Sequence, residues 1–205
     1  MLLFLDVDGT LIPFGARRPY KLYEPPRPLP QSADHPLLAR IDPAFGPRLT
    51  RLAALGCELV WATTWLDDAN TSVAPWLGLP TLPVMDWPDE GDEGDEGGEG
   101  GEGDEGGEGD GGGEGDRAGP GRPRGLHWKT RPLVAWAAGR PFVWVDDEIS
   151  GTDRAWVAAE HPGAALLHRV DHRYGLTERD FDVLEEWIEG ERINAGCGPA
   201  PRSPG

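Results

Sequence analysis

At 205 residues the chain is long enough to bury one substantial core, and no apolar run approaches the 18 residues of a membrane span. The formal charge of −17 is local: residues 86–116 hold 15 of the 36 acids and no Lys or Arg, which leaves 21 acids against 19 bases elsewhere. Its field repels nucleic acid only over the short range that salt leaves unscreened. Two distant cysteines, Cys57 and Cys197, are too few to staple a fold and suit a reducing cytoplasm. The N-terminus lacks the basic stretch of a signal peptide.

LLFLD (2–6) reads as a strand buried on both faces, with Gly9-Thr10 as its exit. Residues 12–36 are rich in proline and base and predict an irregular loop across the sheet's end. Asp42-Pro43 and Gly46-Pro47 signal the start of a short helix, with Leu49, Leu52, Ala53 and Leu55 as its apolar stripe up to Gly56. CELVWAT (57–63) is the next strand, in which Cys57 is a small buried side chain. Residues 67–77 predict a helix capped by Asp67 or Asp68 and shortened or bent by Pro75; TLPVM (81–85) predicts a short strand.

Residues 88–125 contain an almost pure Gly, Asp and Glu tract, with GDEGGEG at 94–100 and again at 103–109. Glycine raises the entropy lost on ordering, like charges repel, and no side chain can enter a core, so this is a disordered insertion. Order resumes at Leu126. Thr130 is expected to cap a helix bearing Leu133, Val134, Trp136 and Ala137, followed by the buried strand PFVWVDDE (141–148). Thr152 or Asp153 caps the next helix, AALLH (164–168) is a strand, and Thr177 with Asp180 forms a capping box before Phe181, Leu184, Trp187 and Ile188. The alternation predicts an α/β fold: a three-layer, Rossmann-like parallel sheet with helices on both faces. It forms one domain over 1–190, interrupted by 88–125, with a flexible tail at 191–205.

In such sheets the ligand crevice lies at the strands' carboxyl ends, where Asp6, Thr63, Asp146 and Asp147 all fall. A single Asp after a strand is commonly a turn residue. Asp6, Asp8, Asp146 and Asp147 in one crevice repel one another, which raises pKa values or demands a hard cation, most simply Mg2+. Asp6 can then ligate the metal with one oxygen and attack phosphorus with the other, while Asp8 acts as general acid and then general base. Gly9 permits a tight turn that brings backbone N–H groups near an anion. Thr10 adds a hydroxyl that serves either the site or the turn.

DVDGT (6–10) resembles the first signature of the haloacid-dehalogenase-like (HAD) superfamily, most of whose members are magnesium-dependent phosphohydrolases. Thr63 in LVWATTW matches the Ser/Thr that binds a phosphoryl oxygen, with Thr64 as competitor for the role. Lys129 in HWKT matches the family's Lys or Arg, and Asp146-Asp147 in VWVDDE its terminal acidic pair. The resemblance implies an aspartyl-phosphate on Asp6 and acid/base action by Asp8. Mg2+ would be held by Asp6, Asp146 and the Asp8 backbone carbonyl, with Asp147 sharing the contact or holding a water. Lys129 would offset charge on the phosphorane.

The insertions look too irregular to be cap domains, which implies a nearly capless enzyme with an open crevice. Its substrate is then a phosphorylated small molecule or nucleotide, or a nucleic-acid end. Arg17, Arg18, Lys21 and Arg27, interleaved with Phe14, Tyr20 and Tyr23, can hold a phosphate backbone and stack bases, or form a solvated loop. His127 beside Lys129 can assist the site, although HWK does not establish it. Rival expectations are a repair phosphatase for nucleic-acid ends, a catalytically silent binding module, and an acidic tract that is itself the functional element.

Overall fold

The structure is a computed structural model describing residues 1–26, 28, 35–87 and 125–196. The acidic insertion through residue 124, Arg27, Cys197 and the end of the expected tail lie outside the described residues.

Four parallel strands form one sheet in the order β2-β1-β3-β4: β1 Leu2–Leu5, β2 Glu58–Trp61, β3 Phe142–Asp146 and β4 Ala165–Arg169. Central β1 pairs Leu5 with Trp61 on one side and with Val145 on the other, so the residues following all three strands emerge together. Alternation along each strand sends side chains to opposite faces. Leu3, Leu5, Trp61, Val143 and Val145 pack in one core with Leu49 and Leu52 of α1 (Phe45–Ala54) and Phe181, Leu184 and Ile188 of α5 (Glu178–Gly196). Leu2, Phe4, Val60, Phe142 and Trp144 pack in a second core with Leu133 of α3 (Thr130–Ala137) and Val157 of α4 (Gly151–Glu160). The protein is thus the expected parallel sheet with helices on both faces.

Several local expectations need correction. Residues 67–77 are not one capped α-helix: a π-helical turn, Ala69–Val73, leads into the short α2, Ala74–Leu77, and Asp68 at the start makes no side-chain cap. Pro75 sits in the first turn of α2, where its missing N–H is tolerated. TLPVM reaches the sheet by one bridge, Val84 to Trp61; Pro80 and Pro83 lack N–H donors and so cannot extend the ladder. The loop before α1 contains a 3-10 helix, Pro36–Arg40, that the prolines concealed. Ser150, not Thr152 or Asp153, caps α4, with Asp153 as the reciprocal partner of its capping box. Thr130 caps nothing, because its hydroxyl is turned to Asp153. The Thr177–Asp180 box forms as expected, and α5 continues to Gly196, past the expected end near 191.

Candidate active site

The turn after β1 is wound on one carbonyl. Val7 O accepts the N–H groups of Thr10, Leu11 and Ile12, and Gly9 N–H returns to Ile12 O at 2.9 Å. Gly9 has φ +71°, and a Cβ there would lie 2.5 Å from Asp147 Oδ2. Glycine is needed twice over: for the left-handed backbone, and to let an acid from β3's end press against the β1 turn. Thr10 is fully buried, and among the described residues its hydroxyl has no hydrogen-bond partner.

Lys129, just before α3, joins the two strand ends. Its Nζ donates to Asp6 Oδ1 at 2.9 Å and to Asp146 Oδ2 at 2.8 Å, with all three side chains buried. Asp6, Asp146 and Asp147 can bring carboxylate oxygens within 4.8 Å of one another. Burial pushes the Asp6 carboxyl upward; Lys129 opposes the rise and Asp146 adds to it. Burial, then the charges of Asp146 and Glu148, push Asp147 up to about 6. For Lys129 burial favours the neutral amine, but the Asp6 and Asp146 charges outweigh it and the pKa is raised.

Asp8 belongs to a neighbouring arrangement. Its side chain is half-buried and stands outside the close carboxylate group, accepting from Trp65 Nε1 at 2.9 Å. Thr63 is buried while Thr64 is exposed; Thr63 Oγ1 accepts from Trp65 N and its carbonyl accepts from Trp87 Nε1 at 3.1 Å. Thr63 and Asp8 are therefore tied through one tryptophan.

A polar network fixes the approach of Lys129. Asp153 Oδ1 accepts from His127 N at 2.8 Å and from Thr130 Oγ1 at 2.6 Å, bracketing the lysine on both sides. Ser150 N–H bonds the other oxygen, and these bonds hold the Asp153 pKa down against the upward pull of burial. Asp153 thus anchors a turn and is not among the grouped metal-capable acids. His127 Nε2 lies 2.9 Å from Glu148 Oε2, and His127, Asp146 and Glu148 form a second close group.

A family model described as the HAD domain in Swiss Army Knife RNA repair proteins matches residues 2–181. The chain belongs to this family. The HAD superfamily suggested by DVDGT is therefore its own. Comparison with curated proteins and with solved structures gives no match.

In this HAD domain the donor set suits a hard divalent cation. Of three grouped, buried carboxylates the Lys129 ammonium pairs with only two, Asp6 and Asp146, an imbalance that a second cation relieves. The oxygen donors and the Thr10 hydroxyl, unpartnered among the described residues, agree with such an ion. Trp65, Trp144 and Glu148 carry no signal in the sequence that marks them as site residues on their own. Trp144 Nε1 donates to Asp146 Oδ2 at 3.2 Å, the two side chains sharing one face of β3 at i and i+2. No helix among the described residues is long and apolar enough to cross a membrane.

Proposed function

We propose that this HAD domain is a magnesium-dependent phosphomonoesterase acting on phosphorylated nucleic-acid ends. The observation that carries the reading is the meeting of Asp6 and Asp146, from different strand ends, on the buried Lys129 ammonium. The RNA-repair description of the family favours a nucleic-acid end over a free sugar phosphate or nucleotide.

In this reading Asp6 attacks phosphorus as the ester P–O bond breaks, giving an aspartyl-phosphate. Asp8 gives its proton to the departing alkoxide, then takes one from the water that cleaves the acyl phosphate, releasing inorganic phosphate and restoring Asp6. Lys129 stabilises charge on the transferring phosphoryl oxygens, and Thr63 donates its hydroxyl to one of them. Asp6, Asp146, Asp147 and the Asp8 backbone carbonyl would hold Mg2+, which supplies charge neutralisation to the carboxylates and phosphate.

The test is phosphate release from RNA and DNA oligonucleotides with 3′ or 5′ phosphates, nucleotides, sugar phosphates and p-nitrophenyl phosphate, with and without Mg2+. Magnesium-dependent release, greatest from an oligonucleotide end and abolished in a folded Asp6→Asn variant, is the expected result. Normal turnover in that variant excludes Asp6 as nucleophile. Binding of oligonucleotides without release from any substrate identifies a silent binding module instead.

A further inference from the structure

We propose that a basic, aromatic groove beside the catalytic turn binds the single-stranded RNA whose terminal phosphate enters the site. This rests on the nucleic-acid-end reading and adds the path of the strand. The groove has a volume of about 400 Å³ and runs between the segment after the β1 turn and the loop from β4 to α5. The two walls are joined to the catalytic turn and to each other. Leu176 N–H donates to Thr10 O at 2.8 Å, and Phe14 N–H donates to His172 O at 2.8 Å. Leu11, one residue beyond Thr10, lines the groove itself.

The charges suit a polyanion. Arg18, Lys21, Arg40 and Arg173 line the groove together with two acids, Asp42 and Glu178. Glu178 is engaged by Arg48, and Arg173 by Asp171. Among the described residues no carboxylate forms an ion pair with Arg18, Lys21 or Arg40, and the first two are exposed. Arg40 donates to Pro13 O at 3.3 Å and lies 4.9 Å from the Tyr20 ring centroid, which fixes its guanidinium at the wall. Outside residues 86–116 acids and bases nearly balance, 21 against 19, so this local excess of base is not the overflow of a basic surface.

The aromatic rings suit unstacked bases. Tyr174, which lines the groove, is 69 % exposed, and Tyr20 and Tyr23 line it too, with Lys21 Nζ 4.2 Å from the Tyr23 ring centroid. Exposed rings beside cations that hold phosphates are the recurring means of binding single strands, whose bases are free to stack. A small phosphate ester has no use for rings in a groove that neither Asp6, Asp8 nor Lys129 lines; a strand continuing from its phosphorylated end does.

The test uses the full chain and a labelled, unphosphorylated single-stranded octaribonucleotide in fluorescence anisotropy, so that binding is read without catalysis. Arg18→Ala/Lys21→Ala is expected to weaken Kd roughly tenfold at low salt. The same double variant should flatten the salt slope by about 1.4, since each phosphate no longer neutralised removes about 0.7. Tyr174→Ala is expected to weaken Kd by roughly fivefold or more because a base loses its stacking platform. On phosphorylated substrates the double variant should lose kcat/KM at least roughly fivefold more on the octamer than on the mononucleoside phosphate. Wild-type affinity in both variants, or a loss independent of strand length, overturns the groove. Tighter binding of DNA of the same sequence overturns the choice of RNA. If no substrate is hydrolysed yet the anisotropy changes appear, the catalytic reading fails and the groove stands. If octamer turnover persists with unchanged binding, the groove fails and the end-phosphatase stands.

Discussion

Lys129→Met removes the ammonium that two buried carboxylates face while keeping an unbranched side chain of similar reach. Nζ lies 2.9 Å from Asp6 and 2.8 Å from Asp146, and Lys129 itself is 4 % exposed. Removing one member of a buried ion pair costs about 3–5 kcal/mol, because the partner charge is left uncompensated. At about 2–4 °C per kcal/mol for a domain of this size, Tm falls by roughly 6–20 °C. The loss depends on pH. Burial already raises the Asp6 carboxyl, and Lys129 opposes that rise, so its removal raises the carboxyl further. An acid whose folded pKa exceeds its unfolded value of about 3.9 binds more protons when folded, so stability falls as pH climbs between the two. Thermal melts of wild type and variant at pH 5 and pH 8, each with and without Mg2+, read this directly. The gap in Tm should be larger at pH 8, and Mg2+ should narrow it there by neutralising the orphaned acids. A gap below about 2 °C at pH 8, or one equal at both pH values, refutes the balance of buried charge around Lys129.

Asp8→Asn should leave the fold intact, since an amide oxygen still accepts from Trp65 Nε1, yet lower kcat by about 10²–10⁴-fold if proton transfer is its task; single-turnover phosphate release measures this. Gly9→Ala must place a Cβ beside the Asp147 carboxylate on a left-handed backbone. The backbone alone costs about 1–2 kcal/mol, so Tm should fall by roughly 2–8 °C, and calorimetry should find weaker Mg2+ binding. Deleting residues 89–116 should leave kcat unchanged if the acidic tract is a linker, and a large fall in the phosphate-release assay would give the tract a direct role in catalysis.

The sheet was legible because LLFL and FVWV bury both faces and need no partner information to be recognised as strands. The acids at their ends were legible because strand direction alone brings them to one edge. What escaped was set by tertiary choice among locally equivalent residues. Ser150, Thr152 and Asp153 can each start a helix, and the structure selects Ser150 because Asp153 is also required by His127 and Thr130 across the fold. The π-helical turn at Ala69–Val73 follows Leu66, whose φ of +48° no sequence pattern announces. Trp65 and Trp144 look like core residues by their apolar bodies, whereas their indole N–H groups decide where Asp8 and Asp146 point.

Asp6 and Asp8 are separated by one residue and differ in almost everything that governs a carboxylate. Asp6 ends on a buried strand edge, where ionisation is costly unless a cation is at hand, and Lys129 supplies that cation in direct contact. Burial nevertheless raises its carboxyl to about 7, so the anion that must attack phosphorus calls for a further cation beside Lys129, the part proposed for Mg2+. Asp8 has moved past the ladder onto the turn, is half-buried, and is held by a neutral indole donor. It can therefore exchange a proton with a leaving group or a water without breaking a buried ion pair. By this logic, exchanging the two environments, with a cation brought to Asp8 and removed from Asp6, should cost the proposed reaction more than removing Trp65 alone.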